Sequence, residues 1–108
     1  MPLDLPDPIA EYFTAEKAGD ALALAQCFVD DGVVRDEGGT FSGTNAIRDW
    51  SAAARKKYPH TVEPLSVIHR DGATIVAGRV AGEFPGSPVT LDHVFRLDGD
   101  KISSLEIR

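Results

Sequence analysis

The order of helical and strand patterns along this chain is its most restrictive feature. From His60 onward the segments alternate apolar and polar residues with a period of two, as strands do, whereas the helical patterns all lie before Pro59. The Asp71–Gly72 dipeptide is a hairpin signal, and Asp98–Gly99 lies at a second turn. We therefore predict a meander of four strands, comprising one that ends at Arg70, then Ala73–Phe84 with bulges or a bend at Gly78 and Gly82, Val89–Leu97 and Lys101–Ile107.

The first half of the chain predicts three helices and one early strand. The first helix opens with Asp7–Pro8, ends at Gly19, and carries Ile9, Tyr12, Phe13 and Glu16 on its buried stripe. A shorter helix is capped by Asp20 and has Leu24, Cys27 and Phe28 on its apolar face. A strand at Val33–Asp36 follows, and then a helix from Thr44 or Asn45 to Pro59. Helices followed by a run of strands indicate an α+β fold, with three N-terminal helices on one face of a curved antiparallel sheet.

Composition excludes several classes of protein. A chain of 108 residues indicates a single domain spanning residues 1–108. The net charge is −6 and the only basic cluster is Arg55–Lys57, which argues against nucleic-acid and anionic-membrane partners. No apolar run reaches the roughly 20 residues that span a bilayer. The N-terminus lacks signal-peptide features, and the single cysteine excludes an internal disulfide, so a cytoplasmic protein is expected.

Asp36 is the first residue that suggests chemistry. Residues i and i+2 of a strand share a face, so Asp36 points to the same side as Val34. If that side is the interior, burial raises the pKa of the carboxyl group, which suits a general base working near neutral pH. The alternative is that the strand faces the other way, or that Asp36 begins a turn and is solvated.

His93 and Tyr12 also stand in apolar rows. His93 falls on the odd-numbered row of its strand together with Leu91 and Phe95. Tyr12 lies beside Phe13 on the buried stripe of the first helix, where a tyrosine hydroxyl usually finds a partner. A hydrogen-bonded core histidine and plain core packing of the tyrosine are the alternatives to a catalytic role.

The remaining candidates carry weaker signals. Trp50, Phe28, Phe41 and Phe84 are assigned to the core or to the wall of a pocket. His60 and His69 have no metal-ligand spacing, so no metal and no cofactor are predicted.

The stretch FVDDGVVRDEGGTFSGTNAIRDW resembles the helix–strand–helix signature of the nuclear transport factor 2-like superfamily. The C-terminal stretch GEFPGSPVTLDHVFRLDGDKISSLEI resembles the strand meander of its SnoaL-like branch. The resemblance covers nearly the whole chain and implies a cone-shaped sheet wrapped by three helices, with a pocket inside the cone. Families of this fold include isomerases, cyclases, hydrolases, dehydratases and binding domains, so the fold alone leaves the activity open.

The ketosteroid isomerase branch implies a site. Its pocket uses a first-helix tyrosine, a base aspartate on the first strand and a protonated acid on a late strand, and Tyr12, Asp36 and His93 stand at these places. The histidine departs from the pattern; it could donate to an oxyanion or accept the proton that Asp36 removes. The contacts expected for a small apolar carbonyl ligand are Val34, Phe13, Phe28, Trp50 and Phe95.

Two hypotheses follow. The first is a cofactor-free isomerase, cyclase or lyase in which Asp36 is the general base. The second is a non-catalytic ligand-binding or dimerisation module, in which Asp36 and His93 form a buried pair. A homodimer is expected from the resemblance, with Val80 and Val94 as candidate outward apolar positions.

Overall fold

The computed structural model describes residues 3–108 and has the predicted order of elements with one additional strand before the third helix. Its helices and strands are α1 Asp7–Ala18, α2 Ala21–Ala25, β1 Phe28–Asp36, β2 Gly39–Ser42, α3 Thr44–Lys57, β3 His60–Arg70, β4 Ala73–Gly82, β5 Val89–Asp98 and β6 Lys101–Ile107. The predicted α+β architecture, with three helices and a curved sheet, is confirmed. Strand β1 is longer than predicted, and β2, which pairs with it, is the additional strand.

The six strands form one sheet in the order β2-β1-β6-β5-β4-β3. The meander β3 to β6 is antiparallel throughout, as predicted. Strand β1, however, pairs with β6 in parallel, with Val34 opposite Leu105, so the sheet is mixed at this one junction. The two strands are joined through α3 and the whole meander, and such a long connection does not impose the antiparallel pairing that a hairpin does.

The helix boundaries differ in detail from the sequence prediction. Asp20 caps α2 as expected, because its Oδ1 accepts a hydrogen bond from the Ala23 backbone N–H at 3.0 Å. The other two helices begin without a side-chain cap, at Pro6 and Gly43. Asp7 instead lies inside the first turn of α1, where a carboxylate stabilises the positive end of the helix dipole.

Phe28 belongs to β1 and not to the second helix. Helix α2 ends at Ala25, after five residues, and Phe28 pairs with Ile102 of β6 at the start of the strand. The prediction failed because an apolar residue three or four positions after Leu24 fits a helical stripe and a strand start equally well.

The core fills the space between α1, α2, α3 and the inner face of the sheet. Its fully buried members include Ile9 and Leu24 of the helices and Val34, Val76 and Phe95 of the strands. Each such side chain contributes roughly 1.5–3 kcal/mol through removal from water. Val34 is fully buried, so the face of β1 that carries Val34 is the one that points to the core.

Irregular pairing bends the sheet around this core. The β3–β4 register shifts between Pro64 and Ser66, and Pro64 pairs with Gly78. A second shift lies between Arg96 and Leu97. Such bulges increase the local twist and bend of a strand, in agreement with the irregularity predicted at Gly78.

Candidate functional site

A cavity of about 650 Å³ opens between α1, α3 and the inner face of the sheet. This volume is typical of sites for small molecules. The wall is largely apolar, with contributions from Phe41, Trp50, Val62, Val80, Leu91 and Ile107. Val80 therefore faces inward and not outward as expected, because β4 keeps its even-numbered residues on the inner face up to this point.

Tyr12, Asp36 and His93 all border this cavity. They come from α1, from the last residue of β1 and from the middle of β5. The predicted convergence of three residues from distant parts of the chain is thus present in the structure, whereas the roles expected for them remain hypotheses.

Asp36 is a half-buried carboxylate with one strong side-chain contact. The Trp50 indole N–H donates a hydrogen bond to Asp36 Oδ2 over 3.1 Å. Burial raises the pKa of the Asp36 carboxyl above its ordinary value, and the Trp50 hydrogen bond acts in the opposite direction. The carboxyl group is therefore more basic than that of a solvated aspartate and is held in a fixed orientation by the indole.

Tyr12 presents a polar group to the cavity from a buried ring. The residue is 2% exposed, and the structure gives its hydroxyl no hydrogen-bond partner among residues 3–108. Burial raises its pKa well above the ordinary value, and the Glu16 and Asp36 carboxylates raise it further. The phenol therefore keeps its proton and is available as a hydrogen-bond donor.

His93 is a buried, neutral imidazole. Its Nδ1 lies 3.1 Å from the Leu91 carbonyl oxygen, which can only accept, so this nitrogen carries the hydrogen. Burial lowers the pKa of the ring, against the smaller opposing effect of the Leu91 and Val76 carbonyls. A neutral imidazole has a single N–H, and Leu91 receives it. Of the two roles expected from the sequence, the geometry favours Nε2 as a proton acceptor over donation to an oxyanion.

The absence of a side chain at Gly78 leaves room for the His93 imidazole. A Cβ at Gly78 would lie 2.8 Å from His93 Cε1 and 3.2 Å from Val62 Cγ1. Both distances are shorter than ordinary carbon contacts, so a side chain at this position would force the His93 ring and Val62 to move.

Four of the five predicted ligand contacts lie in the core instead of in the wall. Trp50 borders the cavity, whereas Val34, Phe13, Phe28 and Phe95 do not. Phe95 shares a strand face with His93, but the rings of Tyr12 and Phe13 cover it at centroid distances of 5.3 and 5.8 Å. Helix α1 therefore closes this part of the sheet, and the cavity opens farther along the strands.

Sequence reasoning missed a second polar group in the cavity. Glu16 is 8% exposed, and its Oε1 lies 3.3 Å from Arg55 Nη2 and 3.2 Å from His60 Nε2. Both Glu16 and His60 border the cavity. The signal was present, because Glu16 follows Tyr12 by four residues and so shares the buried stripe of α1.

Residues 3–108 hold no group of three or more histidine, cysteine or carboxylate side chains placed to bind a metal ion. Within the same part of the chain, no helix has the length and apolar character needed to cross a membrane.

Comparison with known families gives one match over most of the chain. The model of the SnoaL-like domain family matches residues 9–105. No curated protein sequence matches the chain.

Solved structures of the same fold include one of substantial sequence similarity. A candidate polyketide cyclase from Sinorhizobium meliloti is 41% identical, with a TM-score of 0.93 over 97% of this chain and 96% of its own. A hypothetical protein with a ketosteroid isomerase-like fold from Catenulispora acidiphila, in complex with trimethylamine, is 20% identical, with a TM-score of 0.83 over 95% and 85%. An epoxide hydrolase/cyclase-like enzyme of pyran-ring formation in salinomycin is 21% identical, with a TM-score of 0.78 over 94% and 86%. The last two similarities concern the fold alone.

Proposed function

The chain belongs to the SnoaL-like domain family, and from this premise we propose that its cavity binds a small, largely apolar carbonyl compound and moves a proton next to the carbonyl group. One observation carries the proposal: a half-buried carboxylate of raised pKa, Asp36, borders the same cavity as the unpartnered hydroxyl of Tyr12. A base and a hydrogen-bond donor facing one apolar hollow are what enolate formation requires.

The chemistry begins at Asp36. Its carboxylate takes a proton from the carbon next to the carbonyl. The electron pair of that C–H bond forms a C=C bond, and the π pair of the carbonyl moves onto its oxygen to give an enolate. The Tyr12 hydroxyl donates a hydrogen bond to this oxygen as its negative charge develops. A positioned base contributes on the order of 10²–10⁴-fold in rate, and one such donor lowers the barrier by roughly 3–4 kcal/mol.

His93 and Trp50 support this step in different ways. The Nε2 lone pair of His93 is a second proton acceptor at the cavity, and a weaker base than a solvated imidazole because burial lowers the pKa of the ring. The Trp50 N–H donates to one carboxylate oxygen of Asp36 and so limits the rotation of the base. Return of the proton to another carbon makes the enzyme an isomerase, attack of the enolate on a second carbonyl makes it a cyclase, and loss of a leaving group makes it a lyase. The similarity to the candidate polyketide cyclase from Sinorhizobium meliloti supports the cyclase outcome.

The alternative function is a ligand-binding or dimerisation module without chemistry. The sequence suggested that Asp36 and His93 pair with each other in such a module. In the structure Asp36 is hydrogen-bonded to Trp50, and His93 to the Leu91 carbonyl. Dimerisation itself is compatible with either function. An apolar row of Ile68, Ile75 and Val94 crosses the outer face of the sheet. Val94 is already buried within the chain and Ile75 is half-buried, so the 47% exposed Ile68 is the member that supports the proposal of a homodimer.

The test is proton exchange on a simple ketone. In D₂O, 2-tetralone loses the ¹H NMR signals of the protons next to its carbonyl as they exchange. We expect the protein to accelerate this loss far above the buffer rate. Binding of 2-tetralone without any acceleration would contradict the proposal and favour the binding module.

Replacement of Trp50 by phenylalanine tests the electrostatics of the base. Activity is lost on the acid side as pH falls through the pKa of Asp36, which lies above the roughly 3.9 of a solvated aspartate. The Trp50 N–H stabilises the ionised carboxylate, so Trp50→Phe should raise that pKa further and move the acid limb to higher pH. The measurement is kcat/KM for exchange against pH. An acid limb that stays in place or moves to lower pH would exclude Asp36 as the titrating base.

A further inference from the structure

Glu16 carries a second polar group to the cavity, one turn of α1 after Tyr12. Its Oε1 accepts a hydrogen bond from Arg55 Nη2 over 3.3 Å and lies 3.2 Å from Nε2 of His60. Its Oε2 has no hydrogen-bond partner among residues 3–108, and in that same range no fully buried side-chain oxygen or nitrogen lacks one. Oε2 is therefore reached from the cavity, although the residue as a whole is more than nine-tenths buried.

The surroundings of Glu16 decide which ligand group suits it. Arg55 is charged at every ordinary pH, and its guanidinium compensates the Glu16 carboxylate. Lys57 borders the cavity together with Asp36 and Glu37, so the charges of its wall are mixed, and Arg55 is the cation paired with Glu16. A neutral hydroxyl can donate to Oε2 without disturbing that ion pair. An ether or carbonyl oxygen cannot, because two acceptors would face each other.

We propose that Glu16 determines specificity for a hydroxylated substrate, with Oε2 accepting a hydrogen bond from a hydroxyl group remote from the reacting carbonyl. The inference rests on the proposed function, since it places the carbonyl at Tyr12 and Asp36. The Cβ atoms of residues four apart on a helix are roughly 5–6 Å from each other, which sets the scale of the separation between hydroxyl and carbonyl. Hydroxylated bicyclic ketones have this spacing.

The ligand hydroxyl is expected to change the affinity strongly, although it differs from an unsubstituted position by one oxygen atom. A hydrogen bond to a buried charged acceptor changes affinity on the order of 10- to 100-fold, because an apolar group in its place leaves the carboxylate oxygen dry and unpaired. Sites that hydrogen-bond a substrate hydroxyl reject the analogue without it for the same reason.

Three ketones that differ at one position test the inference. The probes are 2-tetralone, 6-hydroxy-2-tetralone and 6-methoxy-2-tetralone, with affinities measured by isothermal titration calorimetry on the wild-type protein. We expect the hydroxylated ketone to bind at least about 10-fold more tightly than each of the other two. Equal affinity for the hydroxylated and unsubstituted ketones would overturn the inference and leave the proposed function intact. If none of the three binds, both fail.

A variant assigns the preference to Glu16. In Glu16→Gln the amide oxygen is expected to face the Arg55 guanidinium, which can only donate, and this leaves the NH₂ group toward the cavity. The preference for hydroxyl over methoxy should then disappear or reverse. Glu11→Gln, the same change on the exposed side of α1, should keep the wild-type preference.

Persistence of the hydroxyl preference in Glu16→Gln would overturn the assignment. Thermal unfolding followed by circular dichroism checks that the variant is folded. If the variant is unfolded, the comparison of the three ketones on the wild-type protein decides the inference. The proton-exchange rate of 2-tetralone, which has no hydroxyl, is an independent readout of the proposed function.

Discussion

Replacement of Asp36 by asparagine should lower kcat/KM for proton exchange on 2-tetralone by about 10²–10⁴-fold, the contribution of a positioned general base. Asparagine keeps the shape of the side chain and an oxygen that can accept the Trp50 hydrogen bond, but it does not take up a proton. The variant thus removes the chemistry and leaves the wall of the cavity in place. A rate equal to that of the wild-type protein would eliminate Asp36 from the mechanism.

Two comparisons separate lost chemistry from lost structure in this variant. Asp31→Asn, at an exposed position of the same strand, should leave the exchange rate unchanged. Asp36→Asn should also melt at a higher temperature than the wild-type protein at pH 7–8. The raised pKa means that the folded state favours the protonated carboxyl, so stability is lost as pH rises through that pKa. Asparagine avoids this loss, and the difference in melting temperature should shrink toward pH 4.

Replacement of Phe95 by alanine should lower the free energy of unfolding by about 3–5 kcal/mol. Phe95 is fully buried and contacts the rings of Tyr12, Phe13 and His93. Domains of ordinary stability unfold with about 5–15 kcal/mol, so the loss is a large fraction of the total. Phe95 thus acts on the site through the core, although the sequence suggested a contact with the ligand.

Urea unfolding at constant pH measures the effect. The matched control is Phe84→Ala. Phe84 is only half-buried, and it borders the cavity, where its ring packs against that of Tyr58. We expect that variant to lose far less stability than Phe95→Ala. A loss below about 1 kcal/mol in Phe95→Ala would show that the space vacated by the ring collapses or is not part of the core.

Face parity on strands was enough to predict the two strand residues of the candidate site. Asp36 shares a face with Val34, and His93 shares one with Phe95, so a single buried neighbour fixes the direction of each. The period-two rule follows from backbone geometry alone and does not depend on which strands are neighbours. The same rule could not tell cavity from core, because both lie on the inner face.

The parts that were missed depend on contacts between distant elements. The position at which α1 crosses the sheet decides which inner-face residues line the cavity. The helix covers Phe95 and leaves His93 at the border of the cavity. The Trp50–Asp36 hydrogen bond requires the rotation of α3, and the Glu16 contacts require the start of β3 to reach α1. The parallel pairing of β1 with β6 likewise depends on tertiary packing and has no local signal in the sequence.

That pairing also has a consequence for synthesis on the ribosome. β1 is made early, yet its inner neighbour β6 is translated after all other strands, and folding of such distant pairs is slow. A nascent chain therefore carries β1 with one edge unpaired until β6 has been made. The part of the cavity wall that β6 contributes through Ile107 is likewise added only after β1 to β5 have been made.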